Sequence, residues 1–300
     1  MTRKTFLTAT ATVVTTVESL GAAPPKEWSV FEGATGKPLR YSELAARLAP
    51  ANAIFLGEQH DDPETHRVEA AVLQEIHTIV GPKLTLALEM FERDGQAALD
   101  AYLTGKTDEA TLAKSVKLWP NYQTDYRPLI EFAKANRVPV LASNAPAGIV
   151  RRVGQEGLDT LAKLTPGERA HVAPFVLAPS GDEYARRFAD VISDGHGDGA
   201  QMPPATIRRF YEAQCTRDDT MAQTVVNALN AGRMVLHVNG AFHSDAGLGT
   251  AARVLWRRPV GTVVRVVKII AQNEAPNPSK FQGEADYLVF VPDKGNTKKS

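Results

Sequence analysis

The stretch Ala53-Ile54-Phe55-Leu56-Gly57-Glu58-Gln59-His60-Asp61-Asp62-Pro63-Glu64-Thr65-His66 decides how the rest of the chain is read. Ile54, Phe55 and Leu56 form an apolar run with the length and bulk of a buried strand. Asp62-Pro63 reads as an N-cap followed by proline in the first helical position. Glu58 and His60 therefore fall where a strand hands over to a helix. In open α/β sheets that edge is where ligands bind. A carboxylate and two imidazoles there point to a metal, a proton-transfer site or a cofactor.

Further apolar runs repeat the pattern. Leu84 to Leu88, Val138 to Ala142, Met234 to Val238, Val263 to Ile270 and Tyr287 to Val291 read as strands. Helical patterns over Thr65 to Val80, Tyr126 to Asn136 and Ala205 to Asn230 separate the first four. This alternation predicts an α/β fold with a mainly parallel central sheet flanked by helices. Two stretches, about 93–120 and 148–204, are helical in composition without a clear strand and are expected to form a helical cap or small subdomain. Asp190 to Pro204 reads as a glycine-rich loop, and 294–300 as a loose tail. One α/β domain is expected over 24–293.

The 300 residues carry 34 basic and 34 acidic side chains, so no basic stripe argues for nucleic acid. Cys215 is the single cysteine, which excludes an internal disulfide. No apolar run is long enough to anchor the chain across a bilayer. Arg3 and Lys4, a Thr/Ala/Val stretch and then Gly21-Ala22-Ala23 have the order of a secretory signal over residues 1–23. A periplasmic or secreted location is the expectation. No cysteine follows that could carry a lipid.

Each of the first four proposed strands delivers a polar group at its end: Glu58 and His60, then Glu89, then Asn144, then His243 after Gly240. Parallel strands place these ends along one edge, so four separate strands converge on one pocket. His66 shares a helical face with Glu69, Leu73, Ile76 and Val80. It is either a metal ligand or a structural imidazole bonded to Glu58 or Glu89. Asp218 lies on a stripe with Gln214, Met221 and Val225 and needs a partner, with Arg217 and Arg127 as candidates. Glu58, His60, Glu89 and His243 are the candidate catalytic groups. With His66 and Asp218 they also make a candidate set for a divalent metal ion. His77 is expected on a flanking face, and His171 and His237 look structural. A dinucleotide glycine loop, a Gly-x-Ser-x-Gly elbow and a His-Glu-x-x-His motif are all missing.

Eight segments then resemble one family in order. They are Leu56-Gly57-Glu58-Gln59-His60-Asp61 with His66, Leu88-Glu89-Met90-Phe91, Asp125-Tyr126-Arg127-Pro128-Leu129 and Ser143-Asn144-Ala145-Pro146. Ala213-Gln214 through Asp218, Met221-Ala222, Gly240-Ala241-Phe242-His243 and Ala285-Asp286-Tyr287 follow. Over roughly residues 50–292 the chain is similar to the ChaN-like family of iron-regulated haem-binding proteins, and more distantly to erythromycin-esterase and TIKI-type proteins. The resemblance implies an exported haem-binding protein, with a homodimer enclosing two stacked haems, a tyrosine on each iron and a histidine on a propionate. Tyr126 matches a family motif and is the expected iron ligand, with Tyr122, Tyr184 and Tyr211 as further candidates. Arg127, Asn144 and His196 complete the expected cofactor-binding set. The competing expectation is a metal-dependent hydrolase built on the Glu/His cluster.

Overall fold

The pleat of one strand explains the layering. Ala53–Glu58 is buried along its whole length, and its side chains alternate between two cores. Ile54 and Leu56 pack on one face of the sheet with Val68, Val72, Leu73 and Ile76 of the first long helix. Ala53 and Phe55 pack on the other face with Ala222, Val225 and Leu229 of the longest helix. A strand with apolar residues at both parities requires helices on both sides, and the computed structural model has them. It describes residues 27–194 and 202–294.

The strands are β1 Ser29–Glu32, β2 Pro38–Leu39, β3 Ala53–Glu58, β4 Leu84–Glu92, β5 Val140–Asn144, β6 Met234–Gly240, β7 Val264–Ala271 and β8 Tyr287–Val291. The α-helices are α1 Tyr41–Leu48, α2 Pro63–Val80, α3 Gln96–Leu103, α4 Glu109–Ser115 and α5 Arg127–Asn136. They continue with α6 Ala147–Glu156, α7 Pro166–Arg169, α8 Glu183–Asp194, α9 Pro204–Asn230 and α10 Gly249–Arg257. One sheet takes the strands in the order β2-β1-β8-β7-β3-β6-β4-β5. Pairing is parallel from β8 to β5, and antiparallel where β1 meets β2 and β8.

The six expected strands are present, with ends that shift in one direction. β3, β4, β5 and β6 run on to Glu58, Glu92, Asn144 and Gly240, so Glu58, Glu89 and Asn144 belong to the strands themselves. β5 begins at Val140 rather than Val138, since Pro139 has no N–H to give a ladder. Asp62 caps α2, its Oδ1 accepting from the amides of Glu64 at 2.8 Å and Thr65 at 3.2 Å. β1 and β2 escape a reading by periodicity because four and two residues are too few to show one. The expected loop from Asp190 is partly helix, since α8 continues to Asp194. The expected leader at 1–23, His196 and all of the expected 294–300 tail except Lys294 lie outside the described residues. Among the described residues, no helix is long and apolar enough to cross a membrane.

β5 is an edge strand, and a side chain occupies its free ladder. The Gln96 amide donates to the Val140 carbonyl at 2.9 Å and its oxygen accepts the Ala142 N–H at 2.7 Å. It stands where a neighbouring strand would bond and so blocks edge-to-edge pairing. Gln96→Ala is expected to lower unfolding free energy by about 1–2 kcal/mol and to raise self-association. Chemical denaturation and light scattering measure both, and an unchanged midpoint would show that the edge is held by other contacts.

Candidate functional site

The two carboxylates at the centre of the cluster emerge on opposite faces of the sheet. Glu58 has the parity of Ile54 and Leu56 and faces α2. Glu89 has the parity of Ala87 and faces α9. Each therefore recruits partners from a different layer.

On the α2 side, Glu58 Oε1 takes a very short contact from His60 Nδ1 and a hydrogen bond from the Tyr126 hydroxyl at 2.9 Å. Its Oε2 lies 3.1 Å from His66 Nδ1, which is also 3.1 Å from Glu69 Oε2. His66 Nε2 donates to the His60 carbonyl at 3.2 Å and lies 3.6 Å from Asp125. Asn121 ties the same carbonyl to Asp125, at 2.9 and 2.8 Å. Asp125 and Tyr126 come from a π-helical turn, Tyr122–Tyr126, that precedes α5. Such turns widen the helix and often re-aim side chains at functional sites. His66 thus meets Glu58 and not Glu89. Its neighbour Glu69, three residues on along α2, is fully buried and joins the cluster.

On the α9 side, Glu89 Oε2 accepts the Gly240 N–H at 2.8 Å and Oε1 lies 3.3 Å from His243 Nε2. His243 Nδ1 donates to Asp218 Oδ1 at 2.7 Å. Asp218 also accepts from Tyr184 at 2.7 Å and Thr250 at 2.8 Å, and the buried Arg253 stands 3.9 Å away. Neither Arg217 nor Arg127 is its partner. Arg217 donates to Asn144 at 3.2 Å, and Arg127 pairs with Glu109 at 2.8 Å. A carboxylate buried on an apolar stripe found its cation on a strand-end turn, which sequence distance hides. Asn144 donates to the Glu89 carbonyl at 3.0 Å and so fixes the end of β4. His237, buried as expected, bonds Ser143 and Asn239.

The two halves meet at Gly240 and His60. A Cβ on Gly240 would stand 2.6 Å from His60 Nε2, so the imidazole lies directly on this backbone. His60 feels the charges of both Glu58 and Glu89. Its side chain is 37% exposed, whereas those of His66 and His243 are 3% and 8% exposed. The Trp119 ring stands edge-on to it at 4.9 Å. Trp119 and Glu69 carried no sequence signal beyond composition and an i, i+3 spacing to His66.

Electrostatics set the protonation. Burial opposes ionisation of Glu58, but the bond from His60 and the imidazole of His66 close beside it hold its carboxyl well below the usual range. Burial likewise opposes a charge on Glu89, and His243 beside it brings it down to about 2. Burial alone would lower His66, yet Glu58 and Glu69 lift it to about 11. Glu89 and Asp218 lift His243 to about 10 in the same way. Glu69, buried and beside Glu58, is pushed up. Burial and the charges of Glu58 and Glu69 raise the Tyr126 phenol far above its ordinary value. Tyr126 has no exposed surface, and of the seven tyrosines only Tyr287 is not buried.

A divalent cation suits one part of the cluster. Glu58, His66 and Glu69 each offer a ligand atom, all within 4.8 Å of one another. Glu58 Oε2 and Glu69 Oε1 are buried without a hydrogen-bond donor. Glu89, Asp218 and His243 instead form a closed chain in which both ring nitrogens face carboxylates.

A pH dependence follows. His66 and His243 have raised values, so the stability they contribute is full below their unfolded value near 6.5 and falls as pH rises towards 10–11. Unfolding free energy is expected to be lower at pH 9.5 than at pH 6.5, with a slope of at most about 1.4 kcal/mol per pH unit for each group. His243→Gln should remove about half of that slope. Denaturant midpoints at the two pH values test it, and parallel slopes in variant and wild type would sink the assignment.

Comparisons with known proteins fit this architecture. A family profile described as haem-binding uptake, Tiki superfamily, ChaN matches residues 44–254. The protein Reticulata-related 5, chloroplastic, of Arabidopsis thaliana is 28% identical over 233 residues, which cover 71% of this chain. Those residues span only 30% of that relative's length. A structure of ChaN from Campylobacter jejuni, described as showing cofacial haem binding, superposes with a TM-score of 0.68 at 16% identity, covering 90% of this chain and 98% of that one. A mutant of the erythromycin esterase EreC in its open conformation gives a TM-score of 0.45 at 12% identity, over 89% of this chain and 83% of that one. The chain belongs to the haem-binding uptake family ChaN of the Tiki superfamily.

Proposed function

We propose that this is an exported haem-binding protein that takes part in haem or iron handling, with haem held at the C-terminal edge of the sheet. The observation that carries the reading is the family match over residues 44–254. A haem site needs a donor to iron, a flat apolar wall and access from solvent. At the mouth of the cluster His60 is the accessible imidazole. Its Nδ1 is held by Glu58, and its Nε2 has no hydrogen-bond partner among the described residues. A carboxylate behind an imidazole fixes the tautomer and makes the other nitrogen a better donor. Trp119 supplies an aromatic face beside it.

Tyr126 is the donor suggested by resemblance, but its hydroxyl is already committed to Glu58. It would reach an iron only if Trp119, whose ring stands 5.8 Å away, and the π-helical turn opened. We therefore place iron on His60. A second copy would bring its own haem face to face with the first. That is the arrangement named for the Campylobacter jejuni protein. The leader at 1–23 would carry the chain out of the cytoplasm. A buried divalent ion on Glu58, His66 and Glu69 is a second reading, favoured by the two carboxylate oxygens there that lack donors. Hydrolysis has no comparable support.

Titration of the protein with ferric haem should shift the Soret band and saturate at one haem per chain, with dimer formation in sedimentation. His60→Ala should weaken binding by about tenfold or more, at least about 1.4 kcal/mol, while Tyr126→Phe should leave the band in place. No Soret shift in the wild type would end the haem reading, and loss confined to Tyr126→Phe would move the iron to Tyr126. Metal analysis of the same preparation addresses the second reading. A stoichiometric ion that disappears in Glu69→Gln is its expected result, and metal-free wild-type protein overturns it.

A further inference from the structure

A cavity of about 510 Å³ opens beside the edge strand β5, between the C-terminal half of α9 and the turn that follows β4. It shares no residue with the Glu/His cluster. Pro139, Leu141 and Ala228 give it apolar walls, while Arg93, Arg233 and His171 also face it. No aspartate or glutamate is among its lining residues.

The two arginines lack counter-charges. Arg233 donates to the Thr85 hydroxyl at 2.9 Å and to the Leu84 carbonyl, both neutral acceptors. Among the described residues the Arg93 side chain makes no hydrogen bond, ion pair or ring contact, and its Nη1 is buried. A buried donor normally has a partner, and a guanidinium pairs best with a planar or tetrahedral anion. Elsewhere in this protein Arg253 and Arg257 lie 3.2 and 2.6 Å from Asp219. Arg93 and Arg233 have no such carboxylate among the described residues, and both stand at the cavity.

We propose that this cavity binds an amphipathic anion, a carboxylate or phosphate ester carried on a hydrocarbon body. The head group sits between Arg93 and Arg233, and the body lies along Leu141 and the small side chains of α9. Such a division, with a few polar groups fixing orientation within apolar walls, is how small-molecule pockets hold their ligands. The proposal is independent of the haem reading, since its residues and its ligand chemistry are separate.

Isothermal titration with three probes of one chain length tests it: dodecanoate, dodecyl phosphate and dodecyltrimethylammonium, each below its micelle concentration. Both anions, or one of them, should bind one to one, and the tighter of the two identifies the head group. The cation should not bind. Arg93→Gln should weaken anion binding about tenfold or more, and it breaks no bond of the folded protein. Ala231→Trp, at an exposed lining position, should fill the cavity and abolish binding. Equal binding of anion and cation, no binding of either anion, or affinities unmoved by both substitutions would overturn the proposal.

Discussion

The two-residue period of a β-strand governs this protein's candidate site. Glu58 ends β3 on the face that α2 covers, and Glu89 stands in β4 on the face that α9 covers. Neither acid can be left alone, because a buried charge without a partner costs several kcal/mol. Each layer answers with an imidazole. α2 supplies His66, and the turn after β6 supplies His243. Once His66 and His243 are charged, they in turn need second carboxylates, Glu69 and Asp218. The cluster therefore grows outward from two strand residues into two Glu–His–acid chains, one on each side of the sheet.

Much of this was legible because strands and caps are local. Apolar runs of four to eight residues announce buried strands, and Asp62-Pro63 announces the start of α2. Convergence of Glu58, Glu89, Asn144 and His243 followed from parallel topology alone. What the sequence concealed was pairing at a distance. Asp218 bonds His243 across 25 residues, and Tyr126 bonds Glu58 across 68. No spacing rule reaches so far. The split into two faces was recoverable in principle, since Glu58 and Glu89 differ in parity relative to the apolar residues of their strands. Burial of Tyr126, the expected iron ligand, and the bond from its hydroxyl to Glu58 were equally out of reach of its motif.

His60 stands apart from this symmetry. It lies beyond the end of β3, on the backbone of Gly240, where the two chains approach each other. A side chain on Gly240 would push the imidazole away, so the glycine keeps the bridge in place. His60 is also the member of the cluster that solvent reaches. The inner groups hold one exposed donor rigidly rather than presenting several.

That rigidity bears on what the cluster can do with its own protons. A general acid or base works best with a value near the working pH. Here Glu89 is held down to about 2, His243 up to about 10 and His66 up to about 11. His237, buried and bonded to Ser143, is pushed down to about 4. These groups are locked in one state across the neutral range, and each stabilises the others by staying there. Such a network is a charged scaffold. It suits the task of orienting an imidazole against a ligand, which needs a fixed tautomer and a fixed ring, better than the task of passing protons back and forth during turnover.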